Sequence, residues 1–201
     1  MTIELLQGDC MDYMRTLPDN AFDLAIVDPP YGIGISSNPV RQAHKKKAWD
    51  SEIPKEEYFK ELFRVSRNQI IWGGNYMTAF LPSTASFIIW DKVQPEEFSM
   101  AMCEFAWSSF GTPAKVYKLR VVGADKERIH PTQKPVKLYE WLLKNYAKPG
   151  DKILDTHLGS GSSAIAAHYS GFDFVGIELD KDYYKAACKR FDEQTKQVAL
   201  F

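Results

Sequence analysis

In the stretch Leu24-Ala25-Ile26-Val27-Asp28-Pro29-Pro30-Tyr31, four apolar residues run directly into an aspartate and two prolines. The pattern predicts a buried strand over residues 22–27 that ends at a stiff turn, because proline fixes φ and cannot donate a hydrogen bond to a sheet. A carboxylate, a main-chain carbonyl and an aromatic ring are therefore expected together at the carboxyl end of a strand.

This trio of groups suits a planar ring that carries an exocyclic NH2. Asp28 and the carbonyl of Pro29 can each accept one amino hydrogen, and Tyr31 offers a stacking face. A nucleobase taken out of its helix is the natural guest. An ordinary strand-to-loop turn explains the same tetrapeptide, since Asp and Pro are common turn residues.

Length and composition predict a single domain with its own core. The chain has 201 residues, of which 45% are hydrophobic and 25% charged. No stretch approaches the ~18 apolar residues of a membrane span, and no signal-peptide pattern opens the chain, so we expect no membrane partner. Three cysteines without a CxxC pair predict a cytoplasmic location with buried free thiols.

Positive charge is concentrated in two segments of a chain whose formal net charge is −1. Residues 38–48 hold four cations and no acid, and residues 111–137 hold seven cations against two acids. Such segments can form a surface that follows DNA phosphates, although solvated loop lysines explain either segment equally well. The candidate DNA contacts are Arg41, Lys45, Lys46, Lys47, Lys115, Lys118, Arg120 and Arg128.

Strand-like and helix-like segments alternate along the chain. Hydrophobic runs predict strands at residues 3–6, 22–27, 69–72, 86–90, 104–110, 152–154 and 174–177. Helical spacing predicts helices at residues 11–16, 55–65, 76–81, 136–146, 162–169 and 182–194, with a long loop over 32–54. The alternation indicates a mostly parallel α/β sheet that binds ligands at the carboxyl ends of its strands, with 86–90 and 104–110 paired antiparallel.

A second motif follows the strand at 152–154. Gly159-x-Gly161-x-x-Ala164 fits a dinucleotide fingerprint, and Glu178 ends the next strand, where a ribose-binding acid belongs. A nicotinamide or flavin enzyme fits this loop, as does a purely structural strand–helix turn. The loop lacks the Gly-Lys-Ser/Thr ending of an ATP-hydrolysing phosphate loop.

Asp155 and the second pocket at Asp28 favour another cofactor. A carboxylate inside the glycine loop would repel pyrophosphate but could receive an ammonium group. The two pockets together suit a nucleoside joined to a cationic amino acid, beside a base that carries an amino group. S-adenosylmethionine fits that description.

With these motifs the chain resembles the DNA amino-methyltransferases, in the beta-type group whose Asp-Pro-Pro-Tyr motif precedes the cofactor loop. The group usually carries Asp-Pro-Phe-Leu-Gly-Ser-Gly, where this chain has Asp155-Thr156-His157-Leu158-Gly159-Ser160-Gly161. The run 130–135 (HPTQKP) is similar to the family's preceding cofactor segment, and residues 8–10 (Gly-Asp-Cys) to its adenine-side motif.

The resemblance covers nearly the whole chain and implies a fold. It implies a Rossmann-like seven-stranded, mostly parallel sheet with one antiparallel strand, helices on both faces and a circularly permuted methyltransferase order. A single domain over 1–201 is expected, with small target-recognition insertions at 32–54 and 111–129.

The resemblance also implies a role for each matched residue. Glu178 would hold the ribose hydroxyls, and Asp9, beside Cys10, the adenine amino group of the cofactor. The methionine part would be surrounded by Asp155, Gly159 and Gly161, with Thr132 and Lys134 as candidates for its carboxylate.

The base pocket would consist of Asp28, Pro29, Pro30 and Tyr31, with Asp28 also facing the cofactor. His157 replaces the usual phenylalanine, which leaves either a polar contact or a partly exposed turn histidine. No metal site is predicted.

The predicted function is methyl transfer from S-adenosylmethionine to N6 of adenine in DNA. Asp28 favours adenine, because the family's cytosine-amino enzymes more often carry serine at this position. Asp28 also argues against protein glutamine as the substrate, because the related motif of glutamine methyltransferases begins with Asn. No Pro-Cys pair is present for methylation of cytosine carbon. An N4-cytosine or RNA amino-methyltransferase, a non-catalytic DNA-binding or cofactor-sensing module and, more distantly, an oxidoreductase remain alternatives. The expected partner is DNA, with a homodimer and a restriction endonuclease partner left open.

Overall fold

The computed structural model describes residues 1–34, 50–97, 101–120 and 128–196. Within these ranges the chain forms eight strands: β1 (Ile3–Gln7), β2 (Phe22–Val27), β3 (Ser66–Trp72), β4 (Phe87–Asp91), β5 (Cys103–Ser108), β6 (Lys115–Lys118), β7 (Lys152–Asp155) and β8 (Asp173–Glu178). The same ranges contain five α-helices: α1 (Cys10–Arg15), α2 (Glu56–Val65), α3 (Val136–Tyr146), α4 (Ser162–Ser170) and α5 (Lys181–Lys196).

The strands form one mixed sheet in the order β1-β8-β7-β2-β3-β5-β4-β6. Strand β5 runs antiparallel to both of its neighbours, and the other pairings are parallel. The carboxyl ends of the remaining seven strands therefore share one edge. The predicted α/β fold is confirmed, including its antiparallel strand, and β2 precedes β7 in the chain although the two lie side by side in the sheet.

The predicted number of seven strands is wrong by one. The additional strand, β6, has four residues, lies at the end of the sheet and alternates half-buried with exposed side chains. A short edge strand with a lysine at each end carries too little hydrophobic pattern to be found from sequence.

Both faces of the sheet are covered. From β2, Leu24 and Ile26 pack with α3 and α4 on one face, whereas Ala25 and Val27 pack with α2 on the other. A central strand that is buried on both sides explains the uninterrupted apolar run before Asp28.

The predicted helix over 76–81 is also wrong. A single 3₁₀ turn (Gly74–Tyr76) follows β3, and the chain continues in tight turns to Phe80, whose N–H donates to the carbonyl of Met77. Gly73 is left-handed with φ of 70°, and Pro82 follows closely, which leaves too few residues to form a stable helix.

The three cysteines are free thiols. None of the helices in the described ranges is long and apolar enough to cross a membrane.

Candidate active site

One cavity of about 910 Å³ opens at the shared edge of the parallel strands. It is bordered by residues that follow β1, β2, β7 and β8, which is where the topology brings the predicted motifs together. The predicted site residues that line it are Asp9, Cys10, Asp28, Pro30, Thr132, Lys134, His157, Gly159 and Glu178.

Glu178 is fixed by two main-chain donors. Its Oε2 accepts a hydrogen bond from the N–H of Gly159 at 2.8 Å, and its Oε1 accepts one from the N–H of Asp180 at 2.8 Å. Gly159 adopts φ of 53°, a conformation that favours glycine. Because each carboxylate oxygen has more than one acceptor site, this oriented group can also accept hydrogen bonds from vicinal hydroxyls.

Asp9 also lines the cavity, at the start of α1 and two residues after Gln7, which pairs with Glu178 in the sheet. Its Oδ1 caps the helix by accepting the N–H of Met11 at 2.8 Å. Burial, together with the charge of Asp9, raises the pKa of the neighbouring Cys10 thiol to about 12. The thiol is therefore protonated and unreactive at neutral pH.

Two of the predicted cofactor residues do not line the cavity. Asp155 is 1% exposed and accepts hydrogen bonds from the Ser163 hydroxyl at 2.6 Å and the His157 N–H at 3.0 Å. Burial raises its pKa to about 7. Gly161, with φ of 74°, precedes α4 and packs against Ala187. Both residues shape the loop in the structure, and their predicted contact with the cofactor stays a prediction.

His157 forms part of the cavity wall as a neutral ring. Its Nδ1 lies 2.9 Å from Oγ1 of Thr156, and that oxygen lies 2.6 Å from the hydroxyl of Tyr58. Burial lowers the pKa of His157 to about 4. Tyr58 also lines the cavity, although its helical spacing in α2 predicts only a core position.

The catalytic candidate Asp28 follows β2 directly, and both of its oxygens are engaged. Its Oδ1 accepts a hydrogen bond from the Tyr31 hydroxyl at 2.7 Å, and its Oδ2 lies 2.5 Å from Nζ of Lys134. Burial raises the pKa of Asp28, and the ammonium of Lys134 opposes that rise.

The Tyr31 ring packs beside Gly73, where a Cβ atom would overlap it. Its centroid is 5.4 Å from that of Tyr76, with the two rings 20° from parallel. Tyr31 also borders a second, smaller cavity of about 430 Å³, together with Ile53 and Phe80. The ring is thus held beside Asp28, whereas its predicted stacking on a base stays a prediction.

Several contacts around the turn are not predicted by the sequence. The resemblance assigns Lys134 to the cofactor carboxylate, but this lysine pairs with Asp28 and also lies 3.1 Å from Oε2 of Glu104 on β5. Asp50 is 1% exposed and accepts the N–H groups of Tyr31 at 2.7 Å and Gly32 at 3.1 Å. Nothing in the local pattern of 104 or 50 indicates a contact with residues so distant in the chain.

The predicted DNA contacts lie in four different places. Arg41, Lys45, Lys46 and Lys47 lie outside the described residues. Lys118 ends β6 and Arg120 follows it, so both lie at the edge that carries Asp28. Arg128 donates to the carbonyl of Pro131 at 3.4 Å. Lys115 begins β6 at the opposite edge, and its ammonium lies 5.1 Å from the ring centre of Tyr146.

A comparison with known families matches residues 89–189, half of the chain, to the N6/N4 methylases, a family described as DNA methylase. The chain belongs to this DNA methylase family. The matched range includes Lys134, the glycine loop and Glu178, but it begins after Asp28. The role of the tetrapeptide therefore rests on the geometry of the site.

Two relatives of this DNA methylase match along most of its sequence. YubD of Escherichia coli (strain K12), named as a methylase, is 29% identical over 204 residues, which cover 92% of this chain and 88% of YubD. The type II methyltransferase M.HinfI of Haemophilus influenzae is 25% identical over 244 residues, which cover 94% of this chain and 68% of M.HinfI.

Solved structures share the fold of this methylase. The M1.HpyAVI–SAM complex superposes with a TM-score of 0.67 at 20% identity, covering 95% of this chain and all of that one. TTHA0409 of Thermus thermophilus, named as a DNA modification methylase and complexed with S-adenosyl-L-methionine, gives 0.63 at 18% identity, covering 96% and 94%. The cytosine-N4-specific PvuII DNA methyltransferase gives 0.68 at 11% identity, covering 98% and 93%. At these identities the likeness establishes the fold.

Proposed function

We propose that this DNA methylase transfers a methyl group from S-adenosylmethionine to N6 of an adenine that is flipped out of DNA. The observation that carries the proposal is the shared cavity, since Asp28 and Glu178 border the same space of about 910 Å³. A methyl donor held on the Glu178 side and an amino group held at Asp28 would meet inside one enclosure.

The residues of the cavity fit S-adenosylmethionine. The oriented carboxylate of Glu178 suits the ribose hydroxyls, and the carboxylate of Asp9 suits an adenine amino group. Thr132 and Gly159 remain candidates for the amino-acid end. When bound, this cofactor supplies a methyl group that is already activated on a sulfonium.

The amino nitrogen of the base is a poor nucleophile, because its lone pair is delocalised into the ring. Asp28 and the Pro29 carbonyl would each accept a hydrogen bond from this amino group. These two hydrogen bonds would favour a pyramidal nitrogen. As the nitrogen–carbon bond forms and the sulfur–carbon bond breaks, positive charge develops on nitrogen beside the buried carboxylate, which stabilises it. The nitrogen then passes its extra proton to solvent water, and its lone pair is again delocalised into the ring. Alignment of nitrogen and methyl group supplies the rest of the acceleration.

No covalent enzyme intermediate is needed for this chemistry. Cys10 is the cysteine that borders the cavity among the described residues, and its thiol is kept protonated by burial. The site therefore suits transfer to an amino group better than methylation of a base carbon, which requires a thiolate.

Adenine is favoured over cytosine by the aspartate at position 28, following the tendency in the family that the chain resembles. Transfer to N4 of cytosine is the second candidate, because the same acceptors suit its amino group. We propose that DNA is contacted by residues 32–54 and by the part of 111–129 that lies at the site edge with Lys118 and Arg120, in a cytoplasmic protein whose cysteines stay reduced.

The test is transfer of label from methyl-labelled S-adenosylmethionine to unmethylated genomic DNA, followed by digestion to nucleosides. We expect label in N6-methyl-deoxyadenosine. Label in N4-methyl-deoxycytidine would keep the mechanism and overturn the choice of base. Absence of label in DNA would contradict the proposal.

A further inference from the structure

A chain of alternating charges, with a buried ammonium at its centre, runs from the Asp28 turn along the edge of the sheet. Lys134 Nζ lies 2.5 Å from Asp28 Oδ2 and 3.1 Å from Glu104 Oε2, and Glu104 Oε1 lies 2.7 Å from Nζ of Lys92. The side chain of Lys134 is 2% exposed, and its ammonium also lies 5.2 Å from the ring centre of Trp72. Four charges are thus paired in sequence.

Stability alone is a weak reason for such an arrangement. Taking an ammonium and two carboxylates out of water is costly, and apolar residues of similar volume often stabilise a protein as well or better. The chain of charges ends at Asp28, the residue proposed to accept a hydrogen bond from the amino group of the base. Its position points to a role in the reaction.

We propose that Lys134 is a positioning residue, whose ammonium holds the Asp28 carboxylate ionised and oriented toward the target amino group, while Glu104 and Lys92 hold Lys134 in place. This inference rests on the proposed function for its catalytic consequence. It differs from the role in binding the cofactor carboxylate that the sequence suggests for Lys134.

The physical reason is that a buried carboxyl group tends to become neutral. Burial raises the pKa of Asp28, and Lys134 is the nearest cation that opposes this. A protonated Asp28 would lose acceptor capacity and could not stabilise positive charge on the base nitrogen. Because Lys134 and the Tyr31 hydroxyl bind different oxygens, they also fix the orientation of the carboxylate.

The second carboxylate secures the lysine. Burial raises the pKa of Glu104, but Lys134 and Lys92 outweigh that effect and lower it to about 2. Burial lowers the pKa of Lys134, but Asp28 and Glu104 outweigh that effect and raise it. Lys134 and Glu104 are therefore charged throughout the neutral range.

Other ionisable groups also face Asp28. They are Glu104 from β5, Tyr139 from α3, Tyr58 from α2, Asp155 from β7 and Tyr31 from the turn itself. Since the pKa of Asp155 is about 7, a titration must be followed at Asp28 by its own resonance.

The experiment is a pH titration of the Asp28 carboxyl carbon by NMR in the full chain, assigned by the resonance missing in Asp28→Asn. Lys134→Met should raise the apparent pKa of Asp28 by about one unit or more, because its counter-ion is gone. Glu104→Gln should lower it, because a like charge is removed. Lys144→Met, which changes an exposed lysine of α3, should leave it unchanged.

Two further measurements distinguish a role of Lys134 in positioning Asp28 from a role in binding the cofactor. Calorimetry should give a dissociation constant for S-adenosylmethionine within about twofold of the wild-type value in Lys134→Met, and the acid limb of its kcat profile should move to higher pH. Loss of cofactor binding with an unchanged Asp28 titration would overturn the inference. If Lys134→Met does not fold, Lys134→Gln, which keeps a polar end group but removes the charge, should raise the pKa of Asp28 in the same direction, and an unchanged Asp28 titration in that variant would overturn the inference. If the wild type methylates no DNA, the proposed function fails, but the titration still tests the link between Lys134 and Asp28.

Discussion

At the level of single residues, Asp28 has to meet two opposing requirements in the proposed reaction. It must be buried, so that its charge is strongly felt by the base, and it must remain charged in spite of burial. Lys134 and Tyr31 meet the second requirement from two directions, one through an ion pair and one through a hydroxyl group. Burial and the nearby carboxylates raise the pKa of Tyr31 far above its usual value, so its hydroxyl stays a donor.

Tyr31 combines two contributions that two substitutions can separate. Tyr31→Phe removes the hydroxyl bond to Asp28 but keeps the ring, so we expect a lower kcat with little change in the KM for DNA. Tyr31→Ala also removes the ring, and it should weaken capture of the base by about 1–3 kcal/mol. Steady-state kinetics on a methylatable duplex measure both effects. Wild-type kinetics in Tyr31→Ala would contradict the stacking role.

Sequence patterns correctly located the strand ends at which the predicted site motifs lie. The tetrapeptide and the glycine loop each follow a strand, and family membership is confirmed by the match over residues 89–189. Local patterns did not indicate that the Asp155 side chain turns inward to Ser163, or that Lys134 pairs with Asp28, which lies far earlier in the chain. The direction of a side chain and contacts between distant segments depend on packing, which local patterns do not encode.

At the scale of elements, the catalytic turn is held from two sides. Asp50 accepts the main-chain N–H groups of Tyr31 and Gly32. Gly73, at the end of β3, leaves space for the Tyr31 ring. The neighbouring strand and the segment after residue 49 therefore both fix the geometry at Asp28.

Gly73→Ala tests this close approach. The new Cβ would overlap the Tyr31 ring and adopt a left-handed φ of 70°, so we expect lower thermal stability and a loss of methyl transfer. Gly111→Ala is the matched control, because φ is 64° there and no atom lies within 4 Å of the added Cβ. It should lose a similar amount of stability from backbone strain, about 1–2 kcal/mol, and keep its activity. Equal activities in the two variants would exclude a role for the Gly73–Tyr31 contact.

The errors at this scale have simple physical causes. Strand β6 is short and half exposed, and the segment after Gly73 contains enough apolar residues to imitate a helix without room to form one. The long, strongly patterned elements such as β2, α2 and α3 begin and end within a residue of the predicted bounds.

At the scale of the whole molecule, a chain of net charge −1 is proposed to bind a polyanion. The topology helps, because it brings Lys118 and Arg120 to the edge that carries the cavity and leaves Lys115 at the other edge. Local charge at the site edge therefore matters more than the total.

The salt dependence of DNA affinity tests this distribution. The double variant Lys118→Gln/Arg120→Gln should weaken DNA binding and reduce the slope of log K against log salt by about 2, since each phosphate contact contributes about 0.9. Lys115→Gln should leave the slope unchanged. Fluorescence anisotropy at several salt concentrations measures this slope. An equal change of slope in the double variant and in Lys115→Gln would refute the proposed DNA-binding surface at Lys118 and Arg120.

In the proposed mechanism Asp28 holds the target base, and the Glu178 side of the same cavity holds the methyl donor. The most direct measurement pairs methyl transfer to DNA with calorimetric binding of S-adenosylmethionine in Asp28→Ala. We predict that transfer is abolished while the dissociation constant for the cofactor stays close to the wild-type value. Retained transfer, or loss of cofactor binding together with transfer in a folded variant, would contradict the account.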